Sequence, residues 1–169
     1  MVFAATNWRQ MYPADIPAIL AIQEEAYPWH KEDRAVFEDR LALYPQGCLA
    51  LELGGELVGY ILSHPWNADD PPPLDSKLGK LPDRPGTYYL HDLALLKSAY
   101  GKGHGARVVR HLAETAGAMD YPSMSLIAVN QSAAFWQKHG FAPRPLAGLI
   151  PKLKSYGEGA VFMTRPLKK

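Results

Sequence analysis

Tyr100-Gly101-Lys102-Gly103-His104-Gly105-Ala106 joins a strand candidate to an amphipathic helix, and it decides the fold. Three alternating glycines let backbone N–H groups approach an anion closely, and a helix N-terminus adds partial positive charge. A plain strand-to-helix turn seldom requires three glycines, so the segment is expected to cradle phosphate. Upstream, Thr87 to Leu96 reads as a strand. Downstream, Gly103 to Met119 reads as a helix with Val109, Leu112, Ala113 and Ala116 on one apolar stripe.

Two familiar phosphate motifs do not fit. A Walker loop needs Gly-Lys-Ser/Thr before its helix, and that is missing. The dinucleotide fingerprint matches Gly101, Gly103 and Ala106, with Asp120 about 20 residues on. Lys97 to Tyr100, however, separate the first glycine from its strand, and Asp120 precedes the next strand instead of ending it. The chain left after it is too short for the rest of a doubly wound sheet.

Outward from the loop, a strand candidate lies around Trp8 to Met11. Asp15 reads as a helix N-cap with Pro17 in the first turn, and Ile16, Ile19, Leu20 and Gln23 follow at helical spacing to about Ala26. A second helix spans roughly Lys31 to Leu43 and closes at Tyr44-Pro45-Gln46-Gly47. Cys48 to Leu53 and Glu56 to Ser63 flank Gly54-Gly55, a hairpin signal. From His64 to Gly86 the chain is rich in Pro and Asp, and a loop of about 20 residues is usually a lid or binding loop. Ser123 to Val129 reads as a buried strand, Ser132 to His139 as a short helix, and Phe141 and Gly159 to Thr164 as the last strands. Hairpins mixed with crossovers imply an α/β (α+β) chain with a mixed sheet.

Composition limits the partners. The 169 residues suit one domain, and 47% hydrophobic with 21% charged residues is a globular balance. Lys plus Arg number 18 and Asp plus Glu 17, so a net charge of +1 gives no electrostatic case for nucleic acid or a membrane surface as partner. Cys48 is the one cysteine, which excludes an intrachain disulfide. Met1 to Gln10 lacks a signal-peptide layout and no apolar run reaches the ~20 residues of a membrane span, so the expectation is a cytoplasmic domain.

Leu93-Ala94-Leu95, a short spacer and the Tyr100 to Gly105 loop resemble motif A of the GNAT N-acetyltransferases. Asn130, the helix that follows it, and Gly140-Phe141 resemble motif B of that family. Gln10 to Asp15 and the Gly59 strand extend the resemblance over nearly the whole chain. It implies one GNAT domain over residues 1–169, with about six to seven strands and about four helices. Acetyl-CoA would be the co-substrate, without a metal. Leu93, Ala94, Leu95, Tyr100, Gly101, Lys102, Gly103, His104, Gly105, Ala106 and Asn130 would hold it. Tyr100 stands where the motif has Gln or Arg, so a side-chain contact to the phosphates is lost or altered while the backbone amides remain available.

Leu90 to Leu95 and the Ser63 to Trp66 segment look most like the arylalkylamine N-acetyltransferase branch, in which histidines on this strand help remove the amine proton. Only His91 matches, since Tyr89 fills the alternate position, and Trp136 stands where that branch has a general-acid tyrosine. An imidazole titrates near neutrality and suits the role of general base, although a buried core histidine is the plain alternative. Asp92 is not expected to orient it, because adjacent strand residues point to opposite faces. His64 is a rival base or a substrate contact. Cys48, with no base nearby in sequence, suits a buried structural role better than acyl transfer. His104 and His111 have no metal-motif partners.

Glu25, Tyr27, Trp29, His64 and Trp66 are the expected amine contacts, because carboxylates attract cations and aromatic faces bind ammonium groups. By resemblance, the turn after the first helix and the 64–86 loop cover that site. The expected function is transfer of acetyl from acetyl-CoA to a small primary amine, an arylalkylamine or a polyamine, in a ternary complex. A non-catalytic acyl-CoA-binding module and a protein N-terminal or lysine acetyltransferase remain the alternatives. A homodimer is a possible assembly.

Overall fold

The apolar spacing after Pro13 folds as helix. In the computed structural model, which describes residues 7–29, 31–129 and 131–167, α1 is Ile16–Ala26 and α2 is Arg34–Leu43. Asp33 caps α2, its carboxylate accepting the Ala35 N–H. Asp15 does not cap α1 in the expected way. Its carboxylate accepts the Tyr12 N–H and pairs with Arg9, closing the 3-10 turn Pro13–Asp15 that precedes the helix. A carboxylate already engaged by a guanidinium and the preceding N–H is occupied before the helix begins.

Among the described residues seven strands form a mixed sheet: β1 (Trp8–Gln10), β2 (Cys48–Leu53), β3 (Glu56–Trp66), β4 (Thr87–Leu95), β5 (Ser123–Ala128), β6 (Ala142–Pro143) and β7 (Val161–Pro166). Their order is β1-β2-β3-β4-β5-β7-β6. β4 and β5 are parallel, while β1–β2, β2–β3, β5–β7 and β6–β7 are antiparallel. The remaining helices are α3 (His104–Ala118), α4 (Ala133–Lys138) and α5 (Ile150–Ser155). β3 runs through His64 and Pro65 to Trp66, so the Pro-rich loop starts later than the composition suggested. Proline forfeits only one donor in extended chain. Among the described residues no helix is long and apolar enough to cross a membrane.

The chain divides into two compact units. The first contains the residues up to His64 together with Asp75–Lys80 and His91–Val108. Its core is built by Met11, Ile16, Ile19, Phe37, Tyr60 and Ala94 among others, and each fully buried large apolar side chain contributes about 1.5–3 kcal/mol. Gly59 allows β3 to press on β4: a Cβ there would lie 2.9 Å from the Ala94 carbonyl oxygen and 2.6 Å from the Leu95 side chain. The Trp8 indole donates to the carbonyl of His104 at 2.9 Å, tying β1 to the first turn of α3.

The second unit contains Pro65–Leu74, Leu81–Leu90 and the chain from Val109. β5 pairs with β7 from Ser123↔Pro166 to Ala128↔Val161. Trp136 of α4 packs edge-on against Phe141, with ring centres 5.6 Å apart. The first part of the Pro-rich loop is bound within this unit. Arg144 makes two 2.7 Å bonds to the Asp69 carboxylate, Lys152 reaches Asp70 and the Pro71 carbonyl, and the buried Tyr156 hydroxyl donates to the Pro72 carbonyl at 2.7 Å.

Those contacts predict a stability role for this segment. Replacing Asp69 to Pro73 with a Gly-Ser link should lower Tm by roughly 4–8 °C, since it removes one buried hydrogen bond and the ion pairs beside it. Thermal melting followed by circular dichroism measures it, and an unchanged Tm would make these contacts incidental.

Candidate functional site

The glycine loop, His91 to Leu95 and the groups around Glu32 belong to the first unit. Gly101, Lys102 and Gly103 are exposed ahead of α3, and Gly103 begins the helix by accepting the Arg107 N–H through its carbonyl at 3.0 Å. Arg107 also donates twice to the Lys102 carbonyl, which places its guanidinium beside the loop. Lys102 is held through its ammonium by the Ser98 carbonyl. Burial, and then the charges of Arg107 and Lys102, push the His104 imidazole below its usual range and keep it neutral at pH 7. The loop therefore offers backbone N–H groups, a helix N-terminus and two cations to an anion. Tyr100 is 59% exposed, while Gly105 is buried in the first turn of α3 and Ala106 is partly covered. Asn130 lies outside the described residues.

β4 pairs with β5 only from Tyr88↔Met124 to Leu90↔Leu126, and the strand then continues in the first unit as His91 to Leu95. The Leu93 carbonyl accepts the Tyr27 hydroxyl at 2.6 Å, and Leu96 N–H donates to Val58 at 2.8 Å. Tyr27 is therefore tied to this strand; burial pushes its phenol above the usual range, with the nearby Asp92 charge adding to the effect.

His91 meets a carboxylate that is distant in sequence. Its Nε2 lies 2.8 Å from Oε1 of Glu32, and the two side chains are 1% and 3% exposed. The other oxygen of Glu32 accepts the Asp75 N–H at 2.8 Å. Gln23, buried on α1, clamps the Glu32 backbone by accepting its N–H and donating to its carbonyl. Burial opposes ionisation of Glu32, but the His91 charge and bond, the Asp75 N–H and Arg40 together hold its carboxyl below the usual range. Ser76 is held by Arg40 through its carbonyl, and Leu78 and Gly79 donate their N–H groups to Asp39. Residues 75–80 are thus bound to α2 and to Glu32.

Asp92, as expected, has a different partner from His91. It is half-buried and accepts the Tyr60 hydroxyl at 2.7 Å. Burial, reinforced by the Glu32 charge, pushes its carboxyl up to about 7, against the opposing pull of His91, Tyr60 and Arg40. Folded protein then holds this proton more tightly than the unfolded chain, so wild type loses stability as pH rises from about 4 to 7. Asp92→Asn keeps an acceptor for Tyr60 and removes the titration. Its Tm relative to wild type should therefore rise between pH 5 and pH 8, and a constant difference would remove the claim.

The other expected contacts are dispersed by role. Trp29 is 64% exposed, Glu25 is exposed at the end of α1, and His64 is buried within β3. Trp66, at the end of β3, donates its indole N–H to the Asp70 carbonyl in the second unit. Cys48 is fully buried, and burial pushes its thiol up to about 12, so it is not a thiolate at pH 7. A groove of about 380 Å³ lined by Met11, Tyr12, Ile16, Glu38, Leu41 and Pro45 is touched by none of the expected site residues. Glu32, Gln23 and Tyr60 had no signal in the sequence, because each meets its partner only through the fold.

A family model described as the acetyltransferase (GNAT) family matches residues 10–141. Comparison with curated proteins finds no match by sequence. Among solved structures, the GphF GNAT-like decarboxylase in complex with isobutyryl-CoA superposes with a TM-score of 0.77 at 16% identity, over 95% of this chain and 99% of that one. Ard1 from Thermoplasma volcanium gives 0.72 at 16% identity, over 98% and 100%. The ribosomal-protein-S18-alanine N-acetyltransferase from Escherichia coli gives 0.65 at 16% identity, over 96% and 94%. At these identities the likeness is one of fold.

Proposed function

The chain belongs to the GNAT acetyltransferase family, and on that premise we propose that it transfers acetyl from acetyl-CoA to a small primary amine. The observation that carries the small-amine reading is the fastening of residues 75–80 to α2 and Glu32 beside His91. A segment fixed there by side chain–backbone bonds favours an enclosed ligand over an open peptide groove. In this reading the Gly101 to Ala106 loop and the Leu93 to Leu95 strand hold acetyl-CoA, with the loop's cations facing its phosphates. Glu25, Tyr27, Trp29, His64 and Trp66 are the proposed amine contacts, Asn130 a further acetyl-CoA contact.

His91 takes the proton of the ammonium through an intervening water, since its side chain is 1% exposed. The freed nitrogen lone pair attacks the thioester carbonyl, the C–S bond breaks, and the amide forms. The second amine proton ends on the thiolate sulfur, while the proton on His91 leaves to solvent. Transfer is direct, because the buried Cys48 thiol is no acyl carrier. Trp136, packed on Phe135 and Phe141, supplies no phenolic proton to the sulfur.

A panel of arylalkylamines, polyamines and free-N-terminal peptides, read by thiol release, tests the proposal. Turnover on a small amine is expected. Turnover confined to peptides would make the chain a protein acetyltransferase, and tight coenzyme A binding without thiol release would make it a binding module.

A further inference from the structure

The carboxylate facing His91 is held with unusual thoroughness for a structural ion pair. Glu32 lies 59 residues from His91 in sequence, on the short segment between α1 and α2. Its backbone is clamped on both sides by the buried amide of Gln23. One carboxylate oxygen meets the imidazole and the other the Asp75 N–H. Neither oxygen is free to rotate away without breaking a hydrogen bond, and loss of the buried one to His91 costs about 1–3 kcal/mol.

We infer that Glu32 is the positioning residue of the proton acceptor: it holds the Nε2–H tautomer of His91, so that Nδ1 is the nitrogen that takes the substrate's proton. An ionised carboxylate only accepts, so a neutral imidazole at 2.8 Å must present N–H to it and keep its lone pair on the opposite nitrogen. When Nδ1 gains the proton the ring becomes a cation, and the charge on Glu32, 2.8 Å away in the low-dielectric interior, stabilises it. The same carboxylate fastens Asp75, so the segment beside the site and the orientation of the base share one anchor. This inference rests on His91 as the base.

The charged and titratable groups around Glu32, His91 and Asp75 are Asp92 on β4, Arg40 and its partner Asp39 from α2, and the phenols of Tyr60 and Tyr27. Arg40 disfavours a cationic ring, while Asp92 favours one. Removing the Glu32 charge takes away the carboxylate in direct contact with the ring and leaves Arg40 and its partner Asp39 in place.

Glu32→Gln is isosteric, and its amide oxygen still accepts. We expect kcat on the best amine of the panel to fall about 10- to 100-fold, with KM for acetyl-CoA within threefold. The acidic limb of the kcat/KM profile should move to lower pH by about one unit. A merely structural carboxylate would leave that limb in place, and an unmoved limb in folded Glu32→Gln overturns the inference. Imidazole ¹⁵N spectra of wild-type protein labelled in histidine supply a second test that needs neither variant nor substrate. They should show His91 as the Nε2–H tautomer, and an Nδ1–H tautomer overturns it. A fully active His91→Gln enzyme would instead defeat the base role itself, which keeps the two failures apart.

Discussion

A Gly103→Asp variant is expected to fold and to lose at least about 100-fold in affinity for coenzyme A. Gly103 sits at φ +80° and gives its carbonyl to the first hydrogen bond of α3. A side chain at such an angle costs roughly 1–2 kcal/mol, least for Asp and Asn. Asp is also among the best residues at a helix N-cap, which offsets part of that cost. The added Cβ would lie 2.9 Å from Nη1 of Arg107, the mobile end of a long side chain, so local adjustment suffices. Ligand binding has no such relief. The new carboxylate would sit at the helix N-terminus and pair with Arg107, occupying the place and the charges that the pyrophosphate requires. Calorimetry of coenzyme A binding, with a melting curve as the control for folding, measures the effect. Unchanged affinity in a folded variant would remove the loop from the cofactor site.

His91→Gln should lower kcat/KM for the amine by about 10²–10⁴-fold at pH 7, with coenzyme A affinity within twofold. An alkylamine with a pKa of about 10 is nearly all protonated at pH 7, so the reaction depends on a group that accepts its proton. Glutamine keeps a donor toward the Glu32 carboxylate and removes the titrating nitrogen. Much of the lost rate should return at pH 9, where free amine is more abundant. Two neighbours compete for the same role. His64 is more deeply buried than His91 and sits on β3, and Asp92 shares β4 and titrates near neutrality. His64→Gln and Asp92→Asn are therefore the parallel controls. A His91→Gln enzyme with wild-type kcat/KM and an unchanged acidic limb would assign the imidazole to packing.

Much of the fold was legible because its signals are local. Val109, Leu112, Ala113 and Ala116 mark α3 by spacing alone, and all four are buried. Gly54-Gly55 marks the β2–β3 turn in the same way. Where a residue had two possible partners, local rules gave its position, the N-cap of α1 for Asp15, but not its partner. Asp15 looks like a cap for the helix that follows, yet Arg9 and the Tyr12 N–H claim its carboxylate. α5 escaped notice because six residues, two of them lysines, show no apolar stripe.

The phosphate loop and its helix were determined by the sequence itself, since glycine conformations, helix polarity and apolar spacing act within a few residues. The surroundings of the proton acceptor were decided only by the tertiary structure. Glu32 reaches His91 across 59 residues and Tyr60 reaches Asp92 across 32. Nothing local ties these pairs. Burial of the α1 and α2 faces brings the carboxylates into the dry interior, and there a charge must find a partner or give up its ionisation. Glu32 found the imidazole and stays ionised, while burial and the Glu32 charge push Asp92, bonded to the Tyr60 phenol, up to about 7.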